Sequence, residues 1–288
     1  QFFLGSSVAL FIVVSLCNII LTGMSCVSFF FTFAIFSCHP FFHSLLFCFC
    51  RFASFPSMDS EEIADEWLRC TFGNNEKLLK PVKQMMLESR EAVVNYMNPL
   101  GLHHIFDTGH HYGPGPWVGN LSRPEWNPVY YHKADENGVG FDRTKTGSDA
   151  LSQYASAFEE KFSNPETCPE EYLLWFHHLP WDYKLKSGRT LWDGLGITYQ
   201  EGVEQVREMI NTWGNMKPYV DEYRHNQVSM LLEIQLKEAK WWRDACMLYF
   251  QTFSKMDFPK EMESPENTLE YYKSLKFPYA PGIRPQWD

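Results

Sequence analysis

The chain has 288 residues, 45% hydrophobic and 17% aromatic, with a formal charge of −10. That length allows one large or two modest domains, and the acidic balance excludes a basic nucleic-acid footprint. With 21% charged residues and abundant Trp, Tyr and Phe, a mainly disordered chain is excluded as well.

The averages hide two unlike pieces. No Asp, Glu or Lys precedes Asp59, and Arg51 is the only Arg ahead of it. Of 24 Phe and 8 Cys, 14 Phe and 5 Cys lie before Met58. The division is therefore drawn as an apolar leader over residues 1–57 and a body over residues 58–288. Three readings of the leader stay open. A membrane span needs ~20 mostly apolar residues, so two spans broken near His39-Pro40 fit. A targeting segment fits less well, because a basic n-region is missing and the apolar run exceeds the usual ~7–15 residues. A translated intron also fits, since the chain opens on Gln and Phe, Ser, Cys and Leu share pyrimidine-rich codons. The leader's Cys show no metal spacing.

The body reads as helices in chain order. Asp59 followed by Glu62 forms a capping-box signature, and Ile63, Trp67, Leu68 and Phe72 then give a helical stripe. A second helix is predicted from about Glu76 to Tyr96, with Leu79, Val82, Met86 and Val93 on one side. Pro81 is expected in its first turns, where a missing N–H is tolerated. From Asn98 to Ser148 periodicity stops among recurrent Gly and Pro. Structureless loops beyond ~12–15 residues are uncommon in compact domains unless functional or disordered. This one is full of His, Trp, Tyr and Phe, so it reads as a long ordered loop that wraps or lines something. Helical pattern returns over Ser148–Phe162, Tyr172–His178, Thr190–Thr212 and Pro218–Phe253, and Pro265–Asp288 reads as a short helix with a Pro-rich tail. The fold class is mainly α with one large irregular insert.

Within the insert, His103-His104 and His110-His111 are adjacent pairs. Neutral imidazole is a common metal ligand, but these pairs lack the i, i+4 spacing of a helical metal site. Metal binding, hydrogen bonding to loop backbone and polar contact with a ligand all remain readings of them. Trp117 and Trp126 sit among Gly and Pro, where a flat ring can stack on a sugar face or pin the loop to the helices. The nearby acids Asp107, Glu125, Asp135, Glu136 and Asp142 show no privileged pair for glycosidase chemistry. Arg143 could hold a carboxylate bidentately, with a structural salt bridge as the blander expectation. Nucleophile-elbow, P-loop, dinucleotide and H-E-x-x-H motifs do not occur. Cys70, Cys168 and Cys246 have no zinc spacing, and Cys168 and Cys246 read as packing residues.

Several stretches carry a resemblance. They are Tyr96-Met97-Asn98-Pro99-Leu100-Gly101-Leu102-His103-His104, Thr108-Gly109-His110-His111-Tyr112-Gly113-Pro114 and Pro128-Val129-Tyr130-Tyr131-His132-Lys133-Ala134-Asp135. With them go Gly140-Phe141-Asp142-Arg143-Thr144, Trp175-Phe176-His177-His178-Leu179-Pro180-Trp181-Asp182 and Trp241-Trp242-Arg243-Asp244-Ala245-Cys246. In this order they resemble the C-terminal region of the glycoside hydrolase family 67 alpha-glucuronidases, from about Ser60 onward.

The resemblance implies a helical C-terminal domain that normally packs on a (β/α)8 barrel missing from this chain. It implies hydrolysis of terminal alpha-1,2-linked (4-O-methyl)glucuronic acid from xylan oligosaccharides, with inversion, outside the cell and without metal or cofactor. The catalytic carboxylates lie in the barrel, so no residue here inherits a catalytic role and activity of this piece alone is not expected. An aromatic sugar contact carries over to Trp117, supported by His110, His111 and Tyr112. The implied partners are a xylo-oligosaccharide bearing glucuronic acid, the missing barrel and, as in some members, a second copy. A membrane enters only if residues 1–57 are genuine. Two rivals stand: a membrane-tethered, non-catalytic carbohydrate-binding helical module, and a metal-dependent enzyme using the His pairs.

Overall fold

A computed structural model describes residues 42–108 and 113–276, with side chains from residue 47 onward. Most of the apolar leader lies outside the described residues, as do His110, His111, Tyr112 and the end of the Pro-rich tail. Every regular element among the described residues is a helix, and the only β pairing is a set of isolated bridges. The mainly α class read from the sequence is the one observed. Among the described residues, no helix is long and apolar enough to cross a membrane. The chain divides into two compact units.

The helical unit comprises the described residues up to Val93 together with Gln205–Leu236. Helix α1 (Phe42–Ser54) begins inside the stretch read as leader. It packs there, since Cys48 and Ile63 are buried together with Phe47, Phe52 and Met58 against them. Arg51 pairs with Glu66 at 2.7 Å. Helix α2 (Ser60–Phe72) starts where the sequence says it must. Asp59 Oδ1 accepts from Glu62 N at 2.8 Å, and Glu62 Oε2 accepts from Asp59 N at 3.4 Å.

Helix α3 (Glu76–Met97) contains Pro81 beyond the free first turn. The expectation of a position where the N–H is dispensable is thus not met, and the Lys77 carbonyl loses its ladder donor. The helix nevertheless runs on, because Leu78, Leu79, Val82, Met85 and Met86 all enter the core. Burying each such side chain contributes roughly 1.5–3 kcal/mol. The same core takes Trp213 and Met216 and, from the following helix, Val228 and Leu232. Trp213 donates Nε1–H to the His225 carbonyl at 3.1 Å and stacks on the His225 ring.

The loop unit comprises Val94–Glu204 and the residues from Lys237 onward. Its regular elements are short: α4 (Pro128–His132), α5 (Ser156–Phe162) and α6 (Leu173–Phe176). It also takes the first part of α7 (Leu191–Gly214), the second half of α8 (Glu222–Ser254), and α9 (Leu269–Ser274). The helix expected over Ser148–Phe162 is broken. Asp149 adopts a left-handed backbone at φ 53°, a 3-10 turn follows over Ala150–Gln153, and Tyr154 is extended before α5 starts. The helix expected over Tyr172–His178 stops at Phe176, because His177 is extended.

The long insert is ordered by backbone pairing to its own unit. Phe106 bridges Pro114, and Val139 bridges Leu179 with both N–O distances near 3 Å, 3.0 and 2.9 Å. Phe141 N donates to Leu174 O at 3.1 Å and Arg143 N to Phe176 O at 2.9 Å. Irregular backbone inside a domain requires such partners. Its core holds Trp181, Trp192, Tyr199, Trp242 and Phe250, all buried.

Candidate functional site

The insert is pinned at His132. Ala134 N donates to His132 Nδ1 at 2.9 Å, so Nδ1 is unprotonated and Nε2–H donates to the Pro116 carbonyl at 2.8 Å. Burial pushes this imidazole down to about 4, against the opposing effect of the Pro116 carbonyl. The ring is therefore neutral at ordinary pH and works as a strut between α4 and the Gly113–Pro116 segment.

Trp117 follows directly and is half-buried. Its ring packs against buried Trp241, Ala245 and Tyr272, meets Tyr249 edge-on at 6.4 Å, and has Lys273 Nζ 5.9 Å from its centroid. Trp117 thus pins the loop to helices while staying partly exposed. Trp126, by contrast, is 51% exposed, with the Arg123 guanidinium over its ring at 5.0 Å. It is presented by a rigid turn, because buried Asn127 accepts from Leu121 N at 2.8 Å and donates to the Leu121 and Arg123 carbonyls.

His110, His111 and Tyr112 lie outside the described residues, so no geometry attaches to them. The other His pair is well defined. His103 is buried and bonded to the Gly101 carbonyl, and its Nε2 stands 3.0 Å from Arg143 Nη2. With Nδ1–H serving Gly101, Nε2 accepts from the guanidinium. Burial, then the charge of Arg143, pushes His103 down to about 3. Its ring lies 3.9 Å from that of Trp175 and 5.2 Å from that of Tyr131. His104 is exposed, adopts a left-handed backbone at φ 54°, and stacks on Tyr131 at 4.4 Å.

Arg143 also donates Nη1–H to the Trp175 carbonyl. Among the described residues the salt bridge expected for it is not observed, because both its partners there are neutral acceptors and only tyrosines add favourable charge nearby. Sequence reasoning weighed Arg143 but missed this grouping, whose members are 32 and 40 positions apart in the chain. The family-like stretches around His103, Tyr131, Arg143 and Trp175 were the one signal that could have joined them.

The insert's acids have local duties. Asp142 accepts from Thr144 N at 2.8 Å and from the Thr144 and Thr146 hydroxyls at 2.7 Å. Burial alone would raise its pKa, but these donors outweigh that and hold it below the ordinary value. A general acid for glycoside cleavage needs the opposite shift. Asp135 accepts from Asn137 N and Gly138 N in a tight turn. Among the described residues no group of three His, Cys, Asp or Glu stands together as metal ligands do. Cys168 and Cys246 are buried thiols, pushed up by burial to about 11 and about 12.

Residues 37–263 match the family described as Glycosyl hydrolase family 67 C-terminus. The chain is 29% identical over 240 residues to a protein named probable alpha-glucuronidase A from Aspergillus oryzae, covering 80% of this chain and 28% of that protein. It is 33% identical over 205 residues to alpha-glucuronidase A of Aspergillus tubingensis, covering 70% and 24%. The chain thus spans about a quarter of the length of the curated relatives it matches. The family match begins ahead of the boundary drawn near Met58 and takes in α1. This chain belongs to glycosyl hydrolase family 67, whose C-terminal region it carries.

Proposed function

We propose that the chain forms the helical C-terminal part of an alpha-glucuronidase. In this reading the enzyme releases terminal alpha-1,2-linked (4-O-methyl)glucuronic acid from xylan oligosaccharides with inversion. The observation that carries it is the family match over residues 37–263, joined by relatives named alpha-glucuronidase.

Inversion needs two carboxyls roughly 6.5–9.5 Å apart, one protonating the leaving oxygen and one activating water on the opposite face. Asp142 and Asp135 are committed to turns, and Asp244 is committed to Arg243. The resemblance assigns the chemistry to a (β/α)8 barrel acting with this region, and in this reading residues 1–288 alone are inactive. Trp117, which is partly exposed, contacts the oligosaccharide, with His110, His111 and Tyr112 in support.

The test is hydrolysis of aldouronic acids by this chain, alone and mixed with the catalytic barrel of a relative. Activity is expected only in the mixture, and the first-formed sugar should be the inverted anomer by NMR. Release of glucuronic acid by the chain alone would overturn the assignment of catalysis to the barrel.

A further inference from the structure

Asn120-Leu121-Ser122 is the one Asn-X-Ser/Thr triplet in the sequence. Asn211 and Asn267 have Thr beside them, one position too early. An N-linked glycan is added where an Asn amide and a hydroxyl two residues on are presented together on a surface loop. A triplet by itself does not secure that access, so the local geometry decides.

The geometry here meets the demand. Gly119, Asn120, Leu121, Ser122 and Arg123 are all exposed and lie outside any helix. Among the described residues, neither the Asn120 amide nor the Ser122 hydroxyl is engaged in a hydrogen bond. Other groups hold the turn in shape. Val129 N donates to the Val118 carbonyl at 3.4 Å. Buried Asn127 accepts from Leu121 N at 2.8 Å and donates to the Leu121 carbonyl at 3.2 Å. Asn120 thus stands between two anchored residues, Val118 and Leu121, and a bulky substituent on its side chain breaks none of the turn's hydrogen bonds. The second Asn of the turn, Asn127, is spent on backbone groups and cannot serve.

A glycan here also has apolar surface to cover. Leu121 and Trp126 are both exposed, and Asn127, bonded to Leu121, follows Trp126 directly. The Arg123 guanidinium lies over the Trp126 ring at 5.0 Å. Exposed apolar groups brought together at a loop tip favour association, and a glycan is bulky and solubilising.

We propose that Asn120 is an N-glycan acceptor and that the glycan screens the Leu121–Trp126 edge of the turn. In the step that attaches it, Asn120 Nδ2 displaces a polyprenyl diphosphate from C1 of the first sugar of a lipid-linked oligosaccharide. The N–C1 bond forms, the C1–O bond breaks, the amide gives up one proton and the lipid diphosphate leaves, with no change of oxidation state. This goes beyond the reading above and rests on it only in taking the chain to work outside the cell.

The test is translation of the full chain behind a cleavable secretory signal with endoplasmic-reticulum microsomes. The protease-protected product is compared before and after peptide N-glycosidase. It should carry the mass of one glycan and lose it on digestion. N120Q and S122A should each be unglycosylated, and S122T, which keeps the hydroxyl, should be glycosylated at least as fully as the parent. An unglycosylated protected parent, a glycan that persists in N120Q, or one lost in S122T would each overturn the proposal. For the screening, the secreted glycoprotein and its enzymatically deglycosylated form are compared by light scattering. Removal of the glycan should increase self-association, and W126A should erase the difference. Equal association of the two forms of the parent would overturn the screening. Hydrolysis by the barrel mixture answers separately for the parent reading, which none of these outcomes touches.

Discussion

His103 accepts a hydrogen bond from Arg143 at 3.0 Å, and it can do so only while neutral. His132 is likewise neutral, since it accepts from Ala134 N and donates to Pro116 O. Their pKa values in the folded chain, about 3 and about 4, lie below the unfolded value of 6.5. Above pH 6.5 both states bind no proton and nothing is lost. As pH falls below 6.5 the unfolded chain takes up protons first, so stability declines until the folded-state values are reached. At pH 4.5 each site costs at most ~2–3 kcal/mol, from ~1.36 kcal/mol per pH unit. Urea midpoints at pH 7 and 4.5 measure this. H132Q should flatten the slope, and a midpoint equal at both pH values would contradict the neutral assignment.

Arg243 and Asp244 are both fully buried and bonded at 2.8 Å. Arg243 Nη1 reaches Gln200 and Glu263, while Asp244 Oδ2 accepts from Tyr272 OH and Glu266 N, both at 2.9 Å. One ion pair thus fastens the segment after α8 to the helix. Removing one partner strands a buried charge, at about 3–5 kcal/mol. D244A should therefore lower the thermal midpoint far more than Y272F, which loses one hydrogen bond of about 1 kcal/mol. Similar midpoints for the two variants would show that the charge is compensated elsewhere.

Gly138 has an ordinary backbone but no room. A Cβ there would lie 2.0 Å from the Leu179 carbonyl oxygen and 2.6 Å from its carbon, atoms held in the Val139–Leu179 bridge. G138A must displace that bridge and should cost about 1–3 kcal/mol. At Gly214, where nothing lies within 4 Å, the same change should be neutral or slightly stabilising. Chemical denaturation of both variants checks the contrast, and equal effects would refute it.

What was legible in the sequence was local. The Asp59 box, the stripes of α2 and α3 and the ordered character of the insert all follow from spacing and composition, because a cap or a stripe is decided within a few residues. The break before α5 was not legible, since Tyr154 and Phe158 continue a helical stripe while their rings stack across the kink at 4.7 Å. Helix α1 was hidden because its Phe- and Cys-rich alphabet, with Arg51 as the one charge, reads alike as leader and as a helix packed on Ile63. Trp117, His110, His111 and Tyr112 were named through the family resemblance, and the last three lie outside the described residues. The Arg143 grouping was not legible, because it is assembled by tertiary folding from four separate stretches.

Trp117 and Trp126 make the sharpest contrast that composition could not resolve. Both are Trp in a Gly- and Pro-rich loop, yet one is packed against Trp241 and Tyr272 and the other is 51% exposed. Truncating a well-packed Trp costs about 3–5 kcal/mol, and the partial exposure of Trp117 reduces that to roughly 2. W126A should fall within about 0.5 kcal/mol of the parent, as surface changes do. Because W117A mixes stability with binding, W117F is the better probe of the proposed sugar contact. It keeps an aromatic ring to pack on the Trp241 cluster and removes the rest of the indole. In the barrel mixture W117F should raise KM for aldouronic acids with little change in kcat, the pattern of a lost ground-state contact. An unchanged KM in a stably folded W117F would leave Trp117 as a packing residue only.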